Sequence, residues 1–164
     1  MNVTVVVGNP KHGSHTRRAA EMLAEQLSGS TADETIELSE LGAKLLGWGD
    51  SDVAETVDRT ASSQLVIFAS PTFKATYSGL MKLFLEQFAG ATGLAHVVAV
   101  PLMLGGGPTH ALAPELTLRP VLAELGATCT TGLYLLDSSF DDGVAIGEYA
   151  DRWRPVVQAL TRGN

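Results

Sequence analysis

The chain is poor in cysteine. One residue of 164, Cys129, carries a thiol. That excludes an intrachain disulfide framework and a cysteine-rich metal site. Positive charge is also scarce: 11 Lys and Arg stand against 18 Asp and Glu, a net charge of −7. General affinity for nucleic acid or an anionic membrane needs a basic face, and this balance argues against both. Long apolar runs are missing too. The opening run, Val3 to Val7, has no cationic flank and is too short for a signal-peptide core or a membrane span. Every longer stretch is interrupted by glycine, proline or polar residues. The expected address is therefore cytoplasmic. The four histidines, at positions 12, 15, 96 and 110, stand at no familiar zinc spacing, so no metal site is expected.

What remains is a chain with 45% apolar and 18% charged residues. A sizeable core is available, and the length suits one domain over residues 1–164. Short runs rich in β-branched residues recur at Val3 to Val7, Thr35 to Leu38, Leu65 to Ala69, Val97 to Leu102 and Leu133 to Leu136. Helical patterns lie between them. Ser14 to Ser28 sets Ala20, Leu23 and Leu27 on one face; Asp52 to Ser62 is more polar; Ser78 to Phe88 has Ser78 as an N-cap. His110 to Leu125 carries Leu118, Val121, Leu122 and Leu125 at i, i+3, i+4, i+7, and Gly126 stops it. Pro120 predicts a kink or break there. Tyr149 to Leu160 closes the chain. Strands alternating with helices make the sheet parallel, and continuous apolar strands are covered on both faces. The fold expected is a flavodoxin-like three-layer α/β/α sandwich, with a five-stranded parallel sheet in the order 2-1-3-4-5.

Ligands on such a sheet sit beyond the carboxyl ends of the strands, between strands 1 and 3. Three loops meet there. The first, Gly8-Asn9-Pro10-Lys11-His12-Gly13-Ser14-His15-Thr16, opens a helix. Free N–H groups and the helix dipole at such a start favour an anion. The loop matches neither a Walker loop nor Gly-x-Gly-x-x-Gly. The second, Ser70 to Gly79, offers Pro71 as a rigid ledge, Phe73 and Tyr77 as aromatic surface, and Thr72 and Lys74 as polar contacts. The third, Gly105-Gly106-Gly107-Pro108-Thr109-His110, lets backbone amides approach a ligand. Taken alone, the second and third loops read equally well as rigid turns. Charge separates the readings. Residues 1–20 hold no acid, and between Arg59 and Pro114 there is one, Glu86. An anionic ligand at the switch point explains all three loops together.

These segments resemble the NADPH-dependent FMN reductase family, closest to the alkanesulfonate-system FMN reductases of two-component monooxygenases. The matching residues are Gly8-Asn9-Pro10-Lys11 with Ser14-x-Thr16, Ser70 through Lys82, and Gly105-Gly106 with His110 and Leu118-Arg119-Pro120-Val121-Leu122. The resemblance implies FMN and NADPH or NADH as cofactors, a homodimer or homotetramer, and a flavin-dependent monooxygenase as partner. By position, Asn9, Lys11, Ser14 and Thr16 would hold the FMN phosphate. Pro71, Thr72, Phe73 and Lys74 would border the ring and ribityl chain, and Gly105 and Gly106 would lie near the ring. No side chain is expected to be catalytic, because flavin and nicotinamide carry the hydride transfer. This chain has Asn9 where the family has serine and Lys11 where it has arginine, so a point charge replaces a bidentate fork. Some sulfonate-system members carry a tyrosine, which affects flavin transfer and tetramer packing, where this chain has Leu116.

Other residues read as ordinary. His110 suits a loop or cap, and Cys129 suits packing ahead of the fifth strand. Arg17 pairs with Glu21, and Trp48 suits a partly buried turn. The helix from Leu80 to Phe88 is apolar almost all round, which points to an oligomer interface. Two rival functions stay open: a reductase that retains FMN and reduces quinones, azo compounds or metal ions, and a flavodoxin-type electron carrier.

Overall fold

Val3–Val7 is wholly buried and forms β1, with Val3, Val5 and Val7 facing one layer and Val6 the other. A strand covered on both sides needs apolar residues at every position, and this run supplies them. In the computed structural model, which describes residues 1–162, β1 lies between β2 (Glu34–Glu37) and β3 (Leu65–Pro71), parallel to both. β3 pairs in turn with β4 (Val98–Gly105). The order β2-β1-β3-β4-β5 is the doubly wound order expected.

One layer holds α1 (His15–Ser28) and the closing helix, and buries Ala20, Leu23 and Leu27 against the odd-numbered valines. The other layer holds α2 (Leu38–Leu41), α3 (Ser51–Ala61), α4 (Gly79–Leu85) and α5 (Arg119–Glu124). Ser14 and Ser78 cap their helices, and Asp50, which was not singled out from the sequence, caps a third. Ser14 Oγ accepts from Arg17 N–H, Asp50 caps α3, and Ser78 Oγ accepts from Met81 N–H.

The sheet has six strands where five were expected. The position beside β4 is shared by two short strands, β5 (Thr128–Cys129) and β6 (Leu133–Leu136), both parallel to it. Between them side chains replace ladder partners. Arg119 Nε donates to the Thr130 carbonyl at 3.1 Å, Tyr149 Oη donates to the Thr131 carbonyl at 2.6 Å, and the Gly132 N–H donates to Glu115 Oε2 at 2.7 Å. Burial pushes the Tyr149 hydroxyl's ionisation upward. Cys129 therefore lies within a strand and not ahead of one.

The helix expected over His110 to Leu125 is broken. It opens as a 3₁₀ turn at Pro108–His110, passes through a π-helical turn at Pro114–Leu118, and only then becomes α5. Pro120 has no N–H to donate. The π turn resets the ladder so that Pro120 falls in the first turn of α5, where that donor is not missed. The chain ends in α6 (Val144–Thr161), which starts five residues before the sequence pattern suggested. No helix among the described residues is long and apolar enough to cross a membrane.

Candidate active site

The carboxyl ends of β1, β3, β4 and β6 open onto one crevice of about 390 Å³. Asn9, Lys11, Ser14, Thr16, Pro71, Thr72, Phe73, Gly105 and Gly106 line it, together with His15, Leu104 and Asp137. Nine of the ten residues named from the sequence are thus brought to one crevice. Lys74 is the exception. It sits exposed at the tip of a tight turn in which Phe73 and Thr76 exchange backbone hydrogen bonds (2.9 and 3.3 Å) and Lys74 and Ala75 take positive φ of 52° and 70°.

The first loop is tied by its own side chains. Asn9 Nδ2 donates to Thr16 Oγ1 at 2.9 Å, and Asn9 Oδ1 accepts from Lys11 N–H at 2.9 Å. Beneath it lies Glu37, 4% exposed, whose Oε1 accepts from Gly13 N–H at 2.9 Å and from Arg17 Nη1 at 3.2 Å. Arg17 also reaches Glu21 at 2.8 Å, and these two carboxylates raise its pKa, Glu21 the more strongly. Arg17 is therefore committed to the protein. Lys11 has no carboxylate within ion-pair distance among the described residues. The N–H groups of His15 and Thr16, at the start of α1, meet no protein acceptor there either. A free lysine above free helix-start amides is an anion cradle.

The second loop is locked to the first through Ser78. Its hydroxyl donates to the Gly8 carbonyl at 2.5 Å, and its N–H donates to Ser70 Oγ at 2.8 Å. The approach is so close that a Cβ on Gly8 would lie 2.8 Å from Met81 Cβ. Phe73, 49% exposed, and Pro71 give the crevice an apolar wall. Thr72 Oγ1 is buried at that wall with no hydrogen-bond partner. A desolvated hydroxyl without a partner is costly unless a ligand completes it.

Sequence reasoning missed three lining residues. Asp137 directly follows β6, and the rule that ligands sit beyond strand ends would have found it. His15 stood inside the first loop without a role. Its Nδ1 lies 3.1 Å from Asp137 Oδ1, and its ring packs on Phe140. Leu104 carries no polar signal.

FMN fits these features. The cradle suits a phosphate, the Pro71–Phe73 wall suits a flat ring, and the Thr72 hydroxyl and the Gly106 amide, both without a partner among the described residues, suit a ring's polar edges. The class that this fold and crevice define is that of flavodoxin-like oxidoreductases. A solved structure of an NADH:FMN oxidoreductase, EMOB, in its apo form superposes with a TM-score of 0.85 at 28% identity, covering 99% of this chain and 91% of that one. An FMN reductase (NADPH) from Pseudomonas putida strain KT2440 is 34% identical over 61% of this chain, and the match spans only 48% of that relative's length. An NADH-dependent FMN reductase, SfnF, from Pseudomonas putida is 29% identical over 86% of this chain and 80% of its own. The model for NADPH-dependent FMN reductases matches residues 1–141. The chain belongs to the NADPH-dependent FMN reductase family, whose relatives pair FMN with NADPH or NADH.

Proposed function

We propose that residues 1–164 act as one FMN-binding unit that oxidises NAD(P)H to reduce FMN, and that it hands reduced FMN to a flavin-dependent monooxygenase. The observation that carries this reading is the convergence of Asn9, Lys11, Ser14, Thr16, Pro71, Thr72, Phe73, Gly105 and Gly106 on one crevice. FMN, when bound, supplies the two-electron chemistry by accepting a hydride from the nicotinamide. The chain's own residues bind, orient and stabilise. Lys11 and the α1 amides hold the phosphate. Pro71 and Phe73 exclude water from one side of the ring, and Thr72 and the glycine amides offer hydrogen bonds at its edges. Donors placed where negative charge develops lower the barrier, and no protein acid or base is required.

Two features support release over retention. The cation is a lysine, which grips phosphate as a point charge and not through a bidentate fork. The crevice lining also carries a carboxylate, Asp137, which opposes a dianion. Stopped-flow absorbance at 450 nm, with NADPH and NADH in turn and with and without added FMN, tests the proposal. Multiple turnovers that require added FMN support it. Flavin that stays bound through gel filtration and turns over without addition would favour an FMN-retaining reductase, and no flavin-dependent nucleotide oxidation would reject the reading.

A homo-oligomer belongs to the same proposal. The apolar surface of α4 is mostly absorbed by its own chain, with Met81, Phe84 and Leu85 buried and Leu80 and Leu83 half-buried. Beside it, however, Leu46 and Trp48 stand about three-quarters exposed, at 74% and 75%, and Gln87 Nε2 reaches the Gly47 carbonyl at 3.2 Å. Trp48 is thus a surface residue and not the partly buried one expected. Leu112 and Leu116, on the approach to the π turn and within it, are also exposed. Exposed large apolar residues grouped in this way mark contact surfaces.

A further inference from the structure

Glu37 closes β2 beside the end of β1, in register with Val7. It is buried, and the hydride transfer makes no use of it. Its Oε1 accepts from the Gly13 N–H at 2.9 Å and from Arg17 Nη1 at 3.2 Å. Its Oε2 is buried with no hydrogen-bond partner among the described residues. A glutamine would accept the same Gly13 bond without the cost of desolvating a carboxylate. Arg17 already has Glu21 as a partner, 2.8 Å away. Support of the loop therefore explains a side chain of this shape at position 37, but not its charge.

That charge lies close to the anion cradle. Gly13 stands between Lys11 and Ser14, which both line the crevice. Its N–H is spent on Glu37, which is not part of that lining. One carboxylate thus engages two groups suited to a phosphate, the Gly13 amide and the Arg17 guanidinium. The neighbours do not cancel it. His12 Nδ1 lies 3.2 Å from Glu40 Oε1 and 3.6 Å from Glu37 Oε1, and Arg17 is shared between Glu37 and Glu21. One arginine and one histidine meet three carboxylates. Like charges separated by protein repel more strongly than the same charges across water.

We propose that Glu37 limits the affinity of the crevice for the phosphate of FMN, as a buried negative charge beneath the loop that cradles it, and so keeps the flavin exchangeable. The inference rests on the reading of the crevice as an FMN site. It agrees with release of reduced FMN, because the phosphate is the same in both oxidation states and Glu37 loosens both alike. Riboflavin, which has no phosphate, escapes the repulsion.

The test is Glu37→Gln, which keeps the acceptor for Gly13 and removes the charge. In fluorescence titrations FMN should bind about fivefold more tightly, and in stopped flow it should dissociate correspondingly more slowly. Riboflavin affinity should stay within about twofold of native. Glu21→Gln, which removes a half-exposed carboxylate farther along α1, should change FMN affinity by less than about twofold. Arg17→Gln, with and without Glu37→Gln, repeats the comparison where no released arginine can reach the phosphate, and adding Glu37→Gln should again tighten FMN. The thermal midpoint of each variant confirms that it is folded. The inference is overturned if either background shows no gain in FMN affinity, or if riboflavin gains equally. Native protein that binds neither flavin is a separate result, which sinks the FMN reading itself and the inference with it.

Discussion

Lys11 carries the unpaired cation of the crevice, and phosphate recognition should depend on it. Removing one charge-assisted contact costs about 1.5–3 kcal/mol. Lys11→Ala should therefore weaken FMN binding by at least about tenfold while leaving riboflavin, which has no phosphate, unchanged; fluorescence titration with both ligands checks this. Ala75 presents the opposite case. At φ 70° it occupies the left-handed region beside Lys74, also strained, in a turn that shapes Phe73's approach. Ala75→Gly should stabilise the fold by about 1 kcal/mol, read as a thermal midpoint higher by about 2–4 °C. Cys129 makes a third prediction at this scale. Burial pushes its thiol up to about 11. The folded state therefore keeps a proton that the unfolded thiol loses near pH 8.5. Stability should be unaffected by this group at neutral pH and should fall as pH rises from about 9 toward 11. Denaturant titrations of native protein and Cys129→Ala across that range should diverge in this way. Alkylation of the native thiol at pH 8 should also be slow.

Secondary-structure elements were legible where one local signal governed them. Val3–Val7 and Leu133–Leu136 emerged with their expected ends, the first as a wholly buried run and the second as an alternation of buried Leu133 and Leu135 with half-buried Tyr134 and Leu136. Ser14 and Ser78 announced their helices because a side-chain oxygen before an apolar stripe satisfies an orphan amide. β5 was not legible. Two residues have no periodicity, and the break before β6 exists because Arg119, Tyr149 and Glu115 reach it from distant segments. The loops of the crevice could be read from glycine, proline and charge, and Asp137 was within reach of the same reasoning because it directly follows the expected strand Leu133–Leu136. The Ser78 cap also has a long-range role, since it binds the first loop to the second. Ser78→Ala loses a cap worth about 1 kcal/mol and leaves the buried Gly8 carbonyl without its donor, a further cost of about 1–3 kcal/mol. Urea unfolding should show a loss of about 2–4 kcal/mol, with looser FMN binding in the fraction that stays folded.

The whole molecule is acidic, yet the first three loops of its crevice hold no acid, and Asp137 is the carboxylate in the lining. The net charge is −7, while the loops that meet at the crevice draw on segments with almost no carboxylates. In the proposed homo-oligomer, the exposed Leu46, Trp48, Leu112 and Leu116 would be the surfaces shared between copies. Light scattering at micromolar concentration should return a dimer or tetramer mass, and Trp48→Glu should shift it toward monomer; a monomeric native protein would contradict that part of the proposal. The central claim is more specific: a phosphate is caught where β1 passes into α1, and a flat ring rests against the proline turn after β3. The most direct measurement is quenching of flavin fluorescence as purified protein is added to FMN and, separately, to riboflavin. Saturable quenching of FMN, clearly tighter than that of riboflavin, is the predicted result. Equal affinity for the two, or no quenching of either, would contradict the account.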